Sequence, residues 1–271
     1  MAERFLLYVD LLGFSDLVRE QPELLPELFG VMDRSNAHRH GDFGVIQFSD
    51  TLLIYNKPEV HSTHDKQYCA MYLCEFAQEI QNMLLGRDVF LRGLVTYGQF
   101  NDTGPTPNES FCHVRAFWGN ALIHAHTRQQ EIKAIGLFVD SGVKPYMNIF
   151  DTHIYDEHKG IWFADTATYL RNKFFEGTDF SYAHFDVTSS GIESLIAYDL
   201  LYLKRLFEHG HDETLSPSIR SKYLTTWEIY RGKYMGLCRT LEDSGFDFRS
   251  VIDIDWTTYV NQIGTSGGDF G

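Results

Sequence analysis

Cysteine is scarce in this chain of 271 residues, and Cys69, Cys74, Cys112 and Cys238 fall into no metal-ligating spacing. A zinc motif is therefore not indicated, and reduced thiols used for packing point to a cytoplasmic protein. The sequence also shows no secretory leader and no apolar run of membrane-spanning length, so no membrane partner is expected. Positive charge is short as well: 23 Lys and Arg stand against 37 Asp and Glu, a formal net charge of −14. Extended contact with a nucleic-acid backbone is disfavoured by that balance, and a nucleotide would have to meet a local positive site. No internal repeat is visible. What is plentiful is apolar material, at 44% of residues, enough for an ordinary core without covalent staples.

The most informative stretch runs from Tyr8 to Leu17, where an apolar strand ends in Asp10 and turns through Gly13 towards a helix. An unpaired carboxylate in a core costs several kcal/mol, so Asp10 calls for a positive neighbour. Gly13 permits a tight backbone path, and the amides that follow face where phosphate oxygens bind. A second strand-end carboxylate, Asp50, closes Val45-Ile46-Gln47-Phe48-Ser49-Asp50 and leads into Thr51-Leu52-Leu53-Ile54-Tyr55. Two such aspartates suit hard divalent cations, Mg²⁺ or Mn²⁺. Taken singly, each is equally a helix cap or a hairpin-turn residue.

The segment YVDLLGFSDLVRE resembles the first metal-binding motif of class III nucleotidyl cyclases, and VIQFSDTLLIY resembles their hairpin carrying the second metal aspartate. Leu91-Arg92-Gly93-Leu94-Val95-Thr96-Tyr97-Gly98 is similar to the family's Arg-x-Gly strand, and Trp118-Gly119-Asn120-Ala121 to the start of its late helix. The order and spacing agree across residues 4 to 145. The resemblance implies that Asp10 and Asp50 ligate two divalent cations, with the Leu11 carbonyl completing one shell. It implies that Phe14 and Ser15 hold phosphate oxygens and that Arg92 contacts the terminal phosphates, a role suited to a guanidinium fork. Arg92 taken alone is also an ordinary salt-bridged arginine on a strand. Family members resemble one another in pairing head to tail, so a homodimer with shared active sites is implied.

Departures from the pattern narrow the expectation. Positions where purine-specific members read the base carry Ile46 and Ala116, neither of which can hydrogen-bond a purine edge, and the transition-state asparagine and arginine are replaced by Ile123 and Thr127. This combination resembles the pyrimidine cyclases of bacterial Pycsar anti-phage systems. The resemblance implies UTP as substrate and cyclic UMP as product, with CTP and cyclic CMP as the alternative, and an effector reached indirectly through the product. Arg115, beside Ala116, and Gln47, beside Ile46, are candidates for reading a pyrimidine. His124 and Arg128, four apart on one helix face, are candidates for stabilising the transition state. His124 and His126 point apart on a helix and make no metal pair. A catalytically inert nucleotide-binding module of the same fold and a metal-dependent phosphohydrolase remain open alternatives.

The expected fold is α+β: a mostly antiparallel sheet with helices packed on one face, as a catalytic domain over residues 1–185, plus a mainly helical extension over 186–271. Predicted elements are a helix from Ser15 to Asn36 broken near Pro22 and Pro26, a hairpin over 44–56, a helix over Lys66–Leu85, the Arg92 strand and a loop over 101–110. A strand near Phe111–Ala116, a helix over Asn120–Ile135 and strands at Leu137–Asp140 and Ile161–Ala164 follow. Helices are expected over Gly191–His209 and Ser216–Ser244, with His209, His211 and Asp212 in the turn between them and a frayed glycine-rich end from Thr265.

Overall fold

The computed structural model describes residues 2–104, 115–171, 193–251 and 253–265. The chain divides into two units: Met1–Ile80 with Leu91–Ile132 and Gly136–Asp165, and Gln81–Phe90 with Lys133–Ile135 and Thr166–Gly271.

The first unit is built on β1 (Glu3–Leu11), whose Phe5 to Val9 are all buried. A strand hidden on both faces needs such a continuous apolar run. β1 lies between two antiparallel partners, β3 (Thr51–Asn56) and β4 (Leu91–Gln99). β2 (Phe43–Phe48) joins β3 by the two-residue Ser49–Asp50 turn, with Phe48 opposite Thr51. β7 (Gly136–Asp140) pairs in parallel with β4, and β9 (Ile161–Ala164) and β8 (Thr152–Asp156) complete the sheet in the order β2-β3-β1-β4-β7-β9-β8. All its pairings except β4–β7 are antiparallel. This is the expected mostly antiparallel α+β arrangement.

Gly13, at φ 75°, ends β1 and starts α1 (Phe14–Glu20). Gln21 breaks the helix before the 3₁₀ turn Pro22–Leu24, and Pro26 then falls in the first turn of α2 (Leu25–Asp33), where a missing N–H costs nothing. α3 spans Thr63–Leu85. β5 (Asn101–Asp102) pairs with β6 (Phe117–Trp118) outside the main sheet. α4 (Asn120–Glu131) packs on β1 and β4 through Ala121, Ala125 and Gln129. Leu6, Tyr8, Ile46, Leu53, Tyr55, Phe100, Ala121 and Ala125 form one apolar cluster there.

The second unit is helical: α5 (Thr168–Arg171), α6 (Glu193–His211), α7 (Pro217–Lys233), α8 (Met235–Asp243) and α9 (Trp256–Thr265). Trp227 and Tyr230 are its largest fully buried side chains.

Several expectations need correcting. The helix expected to reach Ile135 stops at Glu131, because Ile132 is already extended and leads into β7. The helix expected over Ser216–Ser244 is two, interrupted at Tyr234, whose backbone leaves the helical region. His209 and His211 lie in the last turn of α6, not in a turn between helices, and His209 Nε2 is 2.9 Å from Asp88 Oδ1. β8 and α9 were not expected. Of the strand expected over Phe111–Ala116, residues 111–114 lie outside the described residues, Arg115 and Ala116 are not in a strand, and β6 follows instead. Cys112, the expected 185/186 boundary and residues 266–271 also lie outside them.

Gly119 has φ 150° where α4 begins, and a Cβ there would overlap the Gln99 carbonyl oxygen. Gly119→Ala should therefore destabilise the protein by about 2 kcal/mol or more, read from the urea midpoint. A loss below about 0.5 kcal/mol would show that the β4–α4 approach is loose.

Candidate active site

Strand register assembles the candidate site. Asp10 pairs across β1–β3 with Thr51 and across β1–β4 with Arg92, so the neighbour of Thr51 in the hairpin turn, Asp50, is carried to the end of β1. The Leu11 amide donates to the Asp50 carbonyl at 3.3 Å. Ser49, preceding Asp50, sits in the left-handed region at φ 53°, an unfavourable place for a side-chain-bearing residue. A two-residue hairpin loop requires a positive φ at its first central residue, which is the place Ser49 holds between Phe48 and Thr51.

Arg92 Nη2 lies 3.1 Å from Asp10 Oδ2, and its Nη1 donates to the Ile132 carbonyl at 3.0 Å. The Gln129 side chain of α4 donates to the Arg92 carbonyl at 2.8 Å. The arginine is thus held from the helix and strand together, with side-chain exposures of 13% for Arg92 and 25% for Asp10. Burial pushes the Asp10 carboxyl above its ordinary range; Arg92 opposes this and the adjacent Asp50 charge adds to it. Asp10 is paired with Arg92 while the Asp50 charge stands beside it, which leaves negative charge uncompensated.

That imbalance suits a metal cation. Oxygen donors from Asp10 and Asp50, already in mutual repulsion, are what a hard divalent cation relieves. No group of three or more His, Cys, Asp or Glu side chains suited to a metal occurs among the described residues, so any coordination here rests on the two aspartates, backbone such as Leu11, and a ligand.

The other sequence candidates are distributed as follows. Phe14 opens α1 with its ring 6.2 Å from that of Phe29, and Ser15 is exposed in the same first turn. α1 has only seven residues, so its free amides rather than a long helix dipole are what it offers. Ile46 is buried at 4% exposure in the apolar cluster beneath α4, while Gln47 and Ala116 are exposed. Arg115 is brought not to Ile46 but to Asp102, with Nε at 3.1 Å from Oδ1 and Nη2 at 2.7 Å from Oδ2. His124 Nε2 is 3.3 Å from Asp140 Oδ2, and Arg128 is 3.7 Å from Glu131. His126 points elsewhere, towards the Tyr8 hydroxyl at 3.2 Å. Ile123 is 66% exposed.

Asp140 and Asp102 were missed in the sequence. Asp140 ends the apolar run Leu137–Val139 as Asp10 ends its own, so the same strand-end signature was there to find. Burial raises its carboxyl despite His124 and the amides of Val143 and Gly142. For Asp102 nothing in the local sequence marks the partner. Burial opposes its ionisation, but hydrogen bonds from Arg115, Tyr55 and the Gly104 amide outweigh it and bring the carboxyl to about 2.

No protein-family model matches the chain, and no curated protein matches it. Among solved structures, a bacterial light-regulated adenylyl cyclase is similar at TM-score 0.45 and 14% identity over 61% of this chain and 52% of that one. A second such structure gives 0.44 and 13% over the same shares. The monomeric guanylyl cyclase domain of the RhoGC fusion protein from the aquatic fungus Blastocladiella emersonii gives 0.42 and 11% over 60% and 96%. The chain spans about half the length (52%) of the light-regulated cyclase chains it matches. At these scores the likeness assigns neither an activity nor residues.

A carboxyl depressed in the folded state adds stability above its unfolded pKa and loses it as pH falls towards the folded value. Asp102→Asn should therefore flatten the decline in stability between its ordinary 3.8 and about 2. An unaltered acid limb in urea melts across that window would contradict the Arg115–Asp102–Tyr55 assignment.

Proposed function

We propose that the protein is a nucleotidyl cyclase acting on a pyrimidine triphosphate, with UTP favoured over CTP. The observation that carries this reading is the meeting of Asp10, Asp50 and Arg92, three residues remote in sequence that the cyclase-like motifs single out independently. In this reading Asp10 and Asp50, with the Leu11 carbonyl, hold two divalent cations, Mn²⁺ or Mg²⁺. When bound, these supply charge stabilisation to a 3′-oxygen attacking the α-phosphorus and to departing pyrophosphate.

The chain's own residues hold and orient. With cations on Asp10, its ion pair with Arg92 is no longer needed to balance charge, and the guanidinium is available to the terminal phosphates. Amides near Phe14 and Ser15 take further phosphate oxygens. Ile46 and Ala116 offer no hydrogen bond to a purine edge, which supports a pyrimidine. Asp140 orients His124, and this imidazole with Arg128 is our candidate for the positive charge that Ile123 and Thr127 cannot provide.

A homodimer with shared sites is part of the reading. Phe48, Trp118 and Ile123 are exposed at 41%, 48% and 66%, and the ring of Phe48 contacts Phe117 at 5.8 Å. Large apolar side chains left to water on this unit support burial by a second copy. The helical unit is then an accessory to the catalytic one, and residues 1–185 and 186–271 remain our proposed division. A cytoplasmic anti-phage second-messenger role, acting on an effector through the cyclic product, completes the proposal. No helix among the described residues is long and apolar enough to cross a membrane.

The deciding experiment is incubation with each of the four common ribonucleoside triphosphates and Mn²⁺, with products identified by mass. Cyclic UMP is expected. Triphosphate binding without pyrophosphate release would favour an inert module, and a linear product a phosphohydrolase. Asp50→Ala should reduce turnover by at least about a thousandfold and abolish the rise in Tm on adding Mn²⁺, with the fold retained by circular dichroism. Retained turnover would refute the ligand assignment. Arg92→Ala should raise KM by about tenfold or more, the loss of a charged contact made to the bound triphosphate, and unchanged kinetics would remove it from the site. Ile123→Glu should shift the mass in solution from dimer to monomer, and an unshifted dimer would place the interface elsewhere.

A further inference from the structure

A cavity of about 430 Å³ opens at the far end of the same strands, lined by Arg4, Phe43, Tyr55, Lys57, Asp102 and Arg115 among others. Its volume falls in the ~300–1,000 Å³ range of small-molecule sites. Arg4 and Asp10 share a face of β1, six residues apart, which at strand rise is about 20 Å. The cavity is thus separate, within one chain, from the paired aspartates.

Its charge runs against that of the molecule. In a chain with net charge −14, three permanent cations and His38 line the cavity beside one acid, Asp102. That acid is already committed. It accepts hydrogen bonds on Oδ2 from Arg115 Nη2 and the Tyr55 hydroxyl, and on Oδ1 from the Gly104 amide and Arg115 Nε.

The cations keep donors to offer. Arg115 uses Nε and Nη2 on Asp102, leaving Nη1 without a hydrogen-bond partner among the described residues. Arg4 Nη1 donates to the carbonyls of Asn56 and Lys57, and its Nη2 has no hydrogen-bond partner among the described residues. Lys57 is exposed, and among the described residues its ammonium hydrogen-bonds only the Gly41 carbonyl, at 3.2 Å.

The walls are closely packed. The Tyr55 ring lies so close over Gly44 that any Cβ would overlap it, and the Arg4 guanidinium lies 5.5 Å from the centre of that ring. Fixed guanidinium groups with open donors beside a mobile ammonium recognise phosphate oxygens.

We infer that this cavity binds a small phosphate-bearing anion through Arg4, Lys57 and Arg115, independently of the Asp10 and Asp50 site.

The test is a ³¹P NMR titration of the full chain with inorganic phosphate in EDTA, which removes divalent ions so that the aspartate pair repels the probe. Saturable binding with Kd of about 1 mM or tighter is expected. Lys57→Glu should weaken it by at least about tenfold, whereas Asp50→Asn and the surface control Lys159→Glu should change it by less than about twofold. If Lys57→Glu fails to give the native circular dichroism spectrum, Lys57→Gln replaces it, with a loss of about threefold expected.

The inference is overturned by the absence of saturation, by a loss that Lys159→Glu reproduces, which would mean net charge alone, or by a loss confined to Asp50→Asn. Binding is read without turnover, so the outcome neither requires nor tests cyclase activity.

Discussion

The register of β1 between β3 and β4 is the constraint on which the rest depends. Because Asp10 stands opposite both Thr51 and Arg92, one strand alignment fixes the pair of aspartates and the arginine together. Slipping either partner by one residue would turn its side chains to the other face and dissolve the arrangement. Because Phe5 to Val9 and Leu52 to Ile54 are apolar and buried on both faces, burial alone does not choose between registers, and the alignment is marked instead by polar contacts, the Phe5 amide on Asn56 Oδ1 at 2.6 Å and Arg92 on Asp10 at 3.1 Å.

Electrostatics at the two ends of β1 are opposite in sign. At the Asp10 end Arg92 pairs with Asp10 while Asp50 adds a second negative charge beside it, and the burial of Asp10 makes that excess costly. At the Arg4 end cations outnumber acids around a cavity, and the one acid there is held ionised by its partners. Neither imbalance serves stability. A ligand of complementary charge would relieve each, a cation at one end as proposed and an anion at the other as inferred, with the sheet between them keeping the two apart.

Much of the fold was legible because its signals are local. The apolar run ending at Asp10, the hairpin about Asp50 and the break at Pro22 each follow from neighbouring residues, and each stands where expected. The misses have physical causes too. β8 is half-exposed with mixed composition and exists because β9 offers it a partner, a long-range fact. The break at Tyr234 lies inside a helix-like pattern, and the early end of α4 reflects the need to turn back into β7.

The site divides along the same line. The sequence by itself determined which chemistry was available, since strand-end carboxylates, a glycine turn and a strand arginine are recognisable from local pattern. It determined also that Ile46 and Ala116 cannot read a purine, a matter of side-chain composition. Only the tertiary structure decided that Asp10 pairs with Arg92, that Arg115 belongs to Asp102 and His124 to Asp140, and that cations collect at the far end of β1. Those pairings join residues distant along the chain, and charge partners separated by a sheet or a helix leave no periodicity in sequence, because only folding brings them within the few ångströms over which their interaction is felt.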